Sequence, residues 1–150
     1  MPVMVNNIQD KIEISEAFVS QLEEVGNFLL RHEGLPLECE VSIMLVDNSY
    51  IHELNFTYRG LDSSTDVLAF NLQDDLTVES KDKILGDVVV SVEKANKQAK
   101  ACGNTLKQEI ALLTIHGMLH LLGYEHGTDE TEREMNEKQE LILKKFNFLS

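Results

Sequence analysis

Positive charge is scarce in this chain. Thirteen lysines and arginines stand against 26 aspartates and glutamates, for a formal net charge of −13. Binding nucleic acid through its phosphates wants a positive surface, so the net sign weighs against such binding without excluding it, since an acidic chain can still hold RNA in a local basic groove. Cysteine is equally scarce. Cys39 and Cys102 are the only two and lack any metal-type spacing, which argues for a reduced, cytoplasmic setting with both thiols buried. No apolar run exceeds a handful of residues, far short of the roughly 20 needed to cross a membrane. The first ten residues hold no basic region followed by an apolar core, so no secretion leader is expected. With 43% hydrophobic and 26% charged residues, the 150-residue chain is expected to form one domain, 1–150, with a real core. It has no internal repeat, low-complexity tract or linker.

What the chain does have is concentrated between Thr114 and Thr128. Three of its five histidines lie there, at His116, His120 and His126. His116 and His120 are four apart, so a helix places them on one face, a turn apart. Gly123 can adopt positive φ, end the helix and let the chain swing His126 back toward the first pair. Three converging imidazoles leave one position of a tetrahedral ion open, as a catalytic zinc requires. Unpaired imidazoles among Ile110, Leu113, Ile115, Met118, Leu119 and Leu122 would be costly to bury, which favours metal ligation over a purely structural role. The spacing resembles the metzincin pattern H-E-x-x-H-x-x-G-x-x-H, except that Gly117 stands where those proteases carry their general-base glutamate. Glycine cannot polarise water, so the ligand frame is present without its peptide-cleaving base.

Around that stretch the chain alternates strands and helices. Val3 to Ile8 reads as a short edge strand. Ser15 caps a helix with Phe18, Leu22, Val25, Leu29 and Leu30 inward, closed by Gly34 and Pro36. Glu40 to Val46 alternates as a half-buried strand. Asp47 caps a second helix, with Ile51, Leu54 and Tyr58 on its buried face and His52 as a surface or core residue rather than a ligand. Arg59 ends that helix, where a cation suits the dipole. Thr65 and Asp66 serve a turn before the strand Val67 to Leu72. Residues 73–82 read as a polar, acidic loop without a calcium-type spacing. Ile84 to Ser91 is a strand in which Gly86-Asp87 suggests a bulge or close backbone approach. Ser91 caps a helix to Cys102, ended by Gly103. Its Lys94, Lys97 and Lys100, with Lys107 beyond, read more readily as a solvated stripe than as a binding face. Thr105 with Gln108 opens the histidine helix as a capping box. Thr128 or Asp129 starts a last helix with Met135, Leu141, Ile142 and Phe146 as core candidates. This order predicts an α+β fold: a small mixed β-sheet covered by helices, with the histidine helix buried against it.

Three runs together resemble the YbeY family of bacterial endoribonucleases, which are ribosomal RNA maturation factors. They are His-Gly-Met-Leu-His-Leu-Leu-Gly-Tyr-Glu-His at 116–126, Tyr58-Arg59 through Thr65-Asp66-Val67-Leu68-Ala69-Phe70, and Gly86-Asp87-Val88-Val89-Val90-Ser91. Their order and spacing cover nearly the whole chain. Glu125 stands where the family usually has aspartate, Ala69 where it often has serine, and Ser64 where proline is common. The last change makes the loop before Thr65 less rigid. The resemblance implies a zincin-like fold and one Zn²⁺ held by His116, His120 and His126. It implies a metal-dependent hydrolase that cleaves single-stranded RNA, acting in maturation of the 3′ end of 16S ribosomal RNA and in ribosome quality control. The expected partners are single-stranded ribosomal RNA and the ribosome or small-subunit proteins, in the cytoplasm and without a membrane.

The same resemblance moves Arg59 from a helix end into the active site, as a catalytic residue beside His116. Cleavage of a phosphodiester adds negative charge to the phosphorane oxygens, and a guanidinium can hold two of them at once. The attacking oxygen stays open between water and the 2′-hydroxyl of the RNA. Glu125 is a candidate for orienting a ligand or moving a proton. Two other readings keep the ligand frame: a metal-dependent peptidase or other hydrolase, and a ribosome-associated assembly factor whose zinc is structural.

Overall fold

The computed structural model describes residues 3–35, 39–71, 84–124 and 127–148. In chain order the elements are β1 (Val3–Asn7), α1 (Glu16–His32), β2 (Glu40–Val46), α2 (Asn48–Arg59), β3 (Val67–Asn71), β4 (Ile84–Ser91), α3 (Val92–Cys102), α4 (Leu106–Leu121) and α5 (Asp129–Lys145). The strands form one sheet in the order β1-β2-β4-β3. β1, β2 and β4 run parallel, and β3 pairs antiparallel with β4 as an edge strand, so the sheet is mixed. The apolar alternation of β2 and β4 is sorted by this sheet onto two faces. Val41, Ile43, Leu45, Val88 and Val90 share one core with α1, α3 and α4 on one side, and α5 packs on α4. Val46, Leu68 and Val89 meet Ile51 and Leu54 of α2 on the other.

Local signals set most element ends. The hydroxyls of Ser15, Ser91 and Thr105 and the carboxylate of Asp47 accept N-terminal backbone N–H groups of α1, α3, α4 and α2. Thr105 and Gln108 form the full reciprocal box. α4 ends in a Schellman turn: Tyr124 N–H donates to the Leu119 carbonyl and Gly123 N–H to that of His120, with Gly123 at φ +97°. Gly86 is both a bulge and a close approach. The register steps there, with Glu40 opposite Ile84 and Val41 opposite Gly86. A Cβ on Gly86 would stand 2.1 Å from the Phe70 carbonyl oxygen.

α4 is apolar nearly all round, and ten of its sixteen residues are buried, as expected of a helix clasped between a sheet and other helices. Glycines make that clasp tight. A Cβ on Gly117 would lie 2.6 Å from a Val88 methyl, and one on Gly26 of α1 would lie 2.8 Å from Val3 and 3.3 Å from the Met118 sulfur.

Three sequence expectations give way. Tyr58 is 68% exposed, because the apolar stripe of α2 reaches the margin of the surface it covers, where Tyr58 meets Phe70 of β3 in an edge-type ring contact. Asn55 takes the inner place, its amide donating to the Ser63 carbonyl. Leu141 is 48% exposed, because the inward face of α5 is Met135, Gln139, Ile142 and Leu143 and Leu141 is turned away from it. Cys39 is buried, but Cys102 at the end of α3 is exposed. Pro36, Leu72 and the acidic loop 73–82 lie outside the described residues.

Candidate functional site

The site begins with the periodicity of α4. Positions 116 and 120 share one flank of the helix, beside the sheet-facing Gly117, and both residues are only partly buried. Their rings stand 4.5 Å apart, centre to centre, at 76°. The two Nε2 atoms approach to 3.0 Å. Two nitrogens held 2.0–2.1 Å from one tetrahedral zinc lie about 3.3 Å apart, so the pair is preset at nearly the separation a shared ion needs. Without a cation, one ring must donate its proton to the other at that distance. The last turn of a helix, where His120 sits, also favours positive charge. The donor set therefore fits a zinc ion. Among the described residues no third His, Cys, Asp or Glu joins the pair. The expected third ligand, His126, and its neighbour Glu125 lie outside the described residues.

α5 supports the pair from behind. The amide nitrogen of Gln139 stands 2.9 Å from His116 Nδ1, and Gln139 is 7% exposed. Sequence reading missed this residue. The available signal was a polar side chain inside the inward period of α5, between Met135 and Leu143. A second missed cluster ties down the chain just past α4. The Tyr124 hydroxyl donates to Glu33 at the end of α1, and Lys138 Nζ donates to the same carboxylate at 2.8 Å. Burial alone would raise the Glu33 pKa, but the bonds from Lys138 and Tyr124 outweigh it and hold the carboxyl below its usual value. Burial and the Glu33 bond push the Tyr124 hydroxyl up. Beside this cluster lies a cavity of about 440 Å³ with Glu33 and Glu134 in its wall. Those carboxylates make it a poor seat for a phosphate.

Gly117 faces the sheet, against Val88 and Val67. A side chain at the position that carries the base in metzincins would have to displace Val88. Arg59 is the exposed last residue of α2, followed by Gly60 in the left-handed conformation. α2 and α4 cover opposite faces of the sheet. Tyr58 packs on Phe70, the Phe70 carbonyl lies over Gly86, and Gly86 faces Leu121. That chain of contacts brings the C-terminal ends of α2 and α4 to the same end of β3. The structure thus joins two of the sequence-expected residues directly and sets Arg59 across the β3 edge from them. His52 is a surface residue as expected, 2.7 Å from Asp62.

A mixed sheet with one antiparallel edge strand, backed by a helix that presents paired imidazoles, defines a zincin-like α+β protein. The chain belongs to the Endoribonuclease YbeY family, whose model matches residues 4–147. It is 44% identical to the Endoribonuclease YbeY of Pelotomaculum thermopropionicum, over 98% of both chains. It is also 44% identical to that of Clostridioides difficile, over 98% of this chain and 97% of the relative. It is 46% identical to that of Carboxydothermus hydrogenoformans, over 93% of both. Among solved structures it is similar to the solution structure of TM1509 from Thermotoga maritima. The TM-score is 0.66 at 28% identity, covering 96% of this chain and 88% of that one.

Proposed function

We propose that this chain is a zinc-dependent endoribonuclease cutting single-stranded ribosomal RNA in the cytoplasm, in maturation and quality control of the small ribosomal subunit. Membership of an endoribonuclease family supports the reaction class. The observation that supports the metal is the 3.0 Å approach of His116 and His120 Nε2. His116, His120 and His126 hold one Zn²⁺, which when bound supplies a Lewis acid and lowers the pKa of water. His116 and His120 would present their Nε2 lone pairs on one side of α4. Arg59 reaches the scissile phosphate with a planar fork of donors, so its contacts strengthen as charge gathers on the non-bridging oxygens. Tyr124, anchored on Glu33, fixes the chain where it leaves α4. A peptidase is disfavoured, because Gly117 sits where a base would be needed and Val88 fills the space beside it.

The test is cleavage of a single-stranded ribosomal RNA fragment by wild type, by His116→Ala and by Arg59→Ala, each before chelation, after chelation and after zinc is returned. Expected are loss with chelation, recovery with zinc and no cutting by His116→Ala. Arg59→Ala should cut at least ~100-fold more slowly with its zinc content and melting temperature unchanged. Cutting that survives both chelation and His116→Ala would sink the metal reading. Full activity of Arg59→Ala would sink the phosphate role.

A further inference from the structure

We infer that Gln139 is a positioning residue for His116, whose amide oxygen accepts the ring Nδ1–H and so keeps Nε2 as the lone-pair nitrogen facing His120. This rests on the metal reading above.

The geometry comes from the docking of α5 on α4. Met135, Ile142 and Leu143 anchor α5 in the core at 0%, 1% and 5% exposure. Gln139 is carried on the same face, 7% exposed, with its amide 2.9 Å from Nδ1. A neutral imidazole has one N–H, and the partner of one nitrogen decides the state of the other. A half-turn of the amide about its last bond presents either nitrogen or oxygen at the same point. With nitrogen there, the amide donates to Nδ1 and Nε2 must carry the ring proton. With oxygen there, Nδ1 carries the proton and Nε2 is open to a cation. A cation held at His116 Nε2 would therefore require the second orientation, with the amide oxygen at Nδ1. Burial gives the inference its force, because water competes poorly for a group so enclosed. The bond also locks rotation of the ring, which is otherwise only partly buried. A polar residue in an otherwise apolar helix face is thereby accounted for.

The experiment measures zinc affinity by competition with a chromophoric chelator, for wild type, His116→Ala, Gln139→Met and Gln139→Glu, alongside the melting temperature of each without metal. Gln139→Met should bind zinc 10- to 100-fold more weakly, with its metal-free melting within a few degrees of wild type. Gln139→Glu, which keeps an acceptor at Nδ1, should recover most of the affinity. In wild type, two-bond proton–nitrogen correlations of the His116 ring should show the proton on Nδ1 when zinc is bound. That readout needs no variant to fold. Wild-type affinity in Gln139→Met, equal losses in the Met and Glu variants, or a proton on Nε2 with zinc bound would each overturn the inference and leave the metal reading standing. Unchanged affinity in His116→Ala would remove the metal reading itself.

Discussion

Replacing Gly117 with alanine tests the packing that organises this protein, because the sign of the effect decides. On an exposed helix the change should stabilise by about 1 kcal/mol, since alanine is the better helix former. Here the new methyl would lie 2.6 Å from Val88 Cγ1 and 3.2 Å from Val67 Cγ2. Carbon atoms in good contact sit at roughly 3.5–4.0 Å, so the helix must lift or Val88 must turn by about 1 Å. Val88 is fully buried and has little freedom to move. Overpacking of this kind costs about 1–3 kcal/mol. Taking the upper end for so short an approach and subtracting the propensity gain leaves about 2 kcal/mol of net destabilisation. For a chain of this size that is about 4–8 °C in melting temperature, read by circular dichroism and checked by urea titration. The double variant Gly117→Ala with Val88→Ala should be less destabilised than the sum of its parts by at least ~1 kcal/mol, because the second change vacates the space the first one needs. An unchanged or raised melting temperature in Gly117→Ala would refute the reasoning and reopen this position to a side chain. The same lift would disturb the register of His116 against Gln139, so zinc affinity should fall with stability.

Two further predictions turn on carboxyl groups. Burial, then the nearby charge of Asp66, pushes the Glu109 carboxyl above its ordinary value of 4.5, against an opposing hydrogen bond from Asn104. The folded state therefore holds that proton more tightly, and stability falls as pH rises from about 4.5 through the folded value. Glu109→Gln should raise the melting temperature at neutral pH, with the gain vanishing below about pH 4.5; a gain independent of pH would contradict this. Glu33 behaves oppositely: its carboxyl is held low by Lys138 and Tyr124 in spite of burial, so its contribution is present above about pH 4.5 and is lost as pH falls through the lowered value. Lys138→Met should cost about 1–3 kcal/mol in urea unfolding at pH 7, by leaving a half-buried carboxylate short of a partner. The cost should shrink in acid, and an equal cost at both pH values would point to lost packing instead.

Much of the architecture was legible because its causes are local. Ser15, Asp47, Ser91 and Thr105 cap where they stand, since a short polar side chain satisfies N–H groups two or three residues on. The alternation of Glu40–Val46 and the apolar run around His116 made a strand and a buried helix. The four-residue spacing alone put His116 and His120 on one face. Tyr58 and Leu141 were misjudged because periodicity tells which side of a helix is apolar and says nothing of how far the neighbouring surface extends.

The sequence by itself determined the strand and helix order, the caps, the adjacency of His116 and His120, and the loss of the metzincin base at Gly117. All of these depend on residues near one another in the chain. Only the tertiary structure decided that Gly117 is a contact with Val88 rather than merely a missing base, and that Gln139, 23 residues from His116, stands on its ring. It alone tied Glu33, Tyr124 and Lys138 together behind the end of α4 and set Arg59 on the opposite face of the sheet from the histidine helix. The physical reason is that these pairings arise from how helices dock on a twisted sheet, where side chains distant in sequence meet because the core must close-pack. No local pattern encodes which of them will touch.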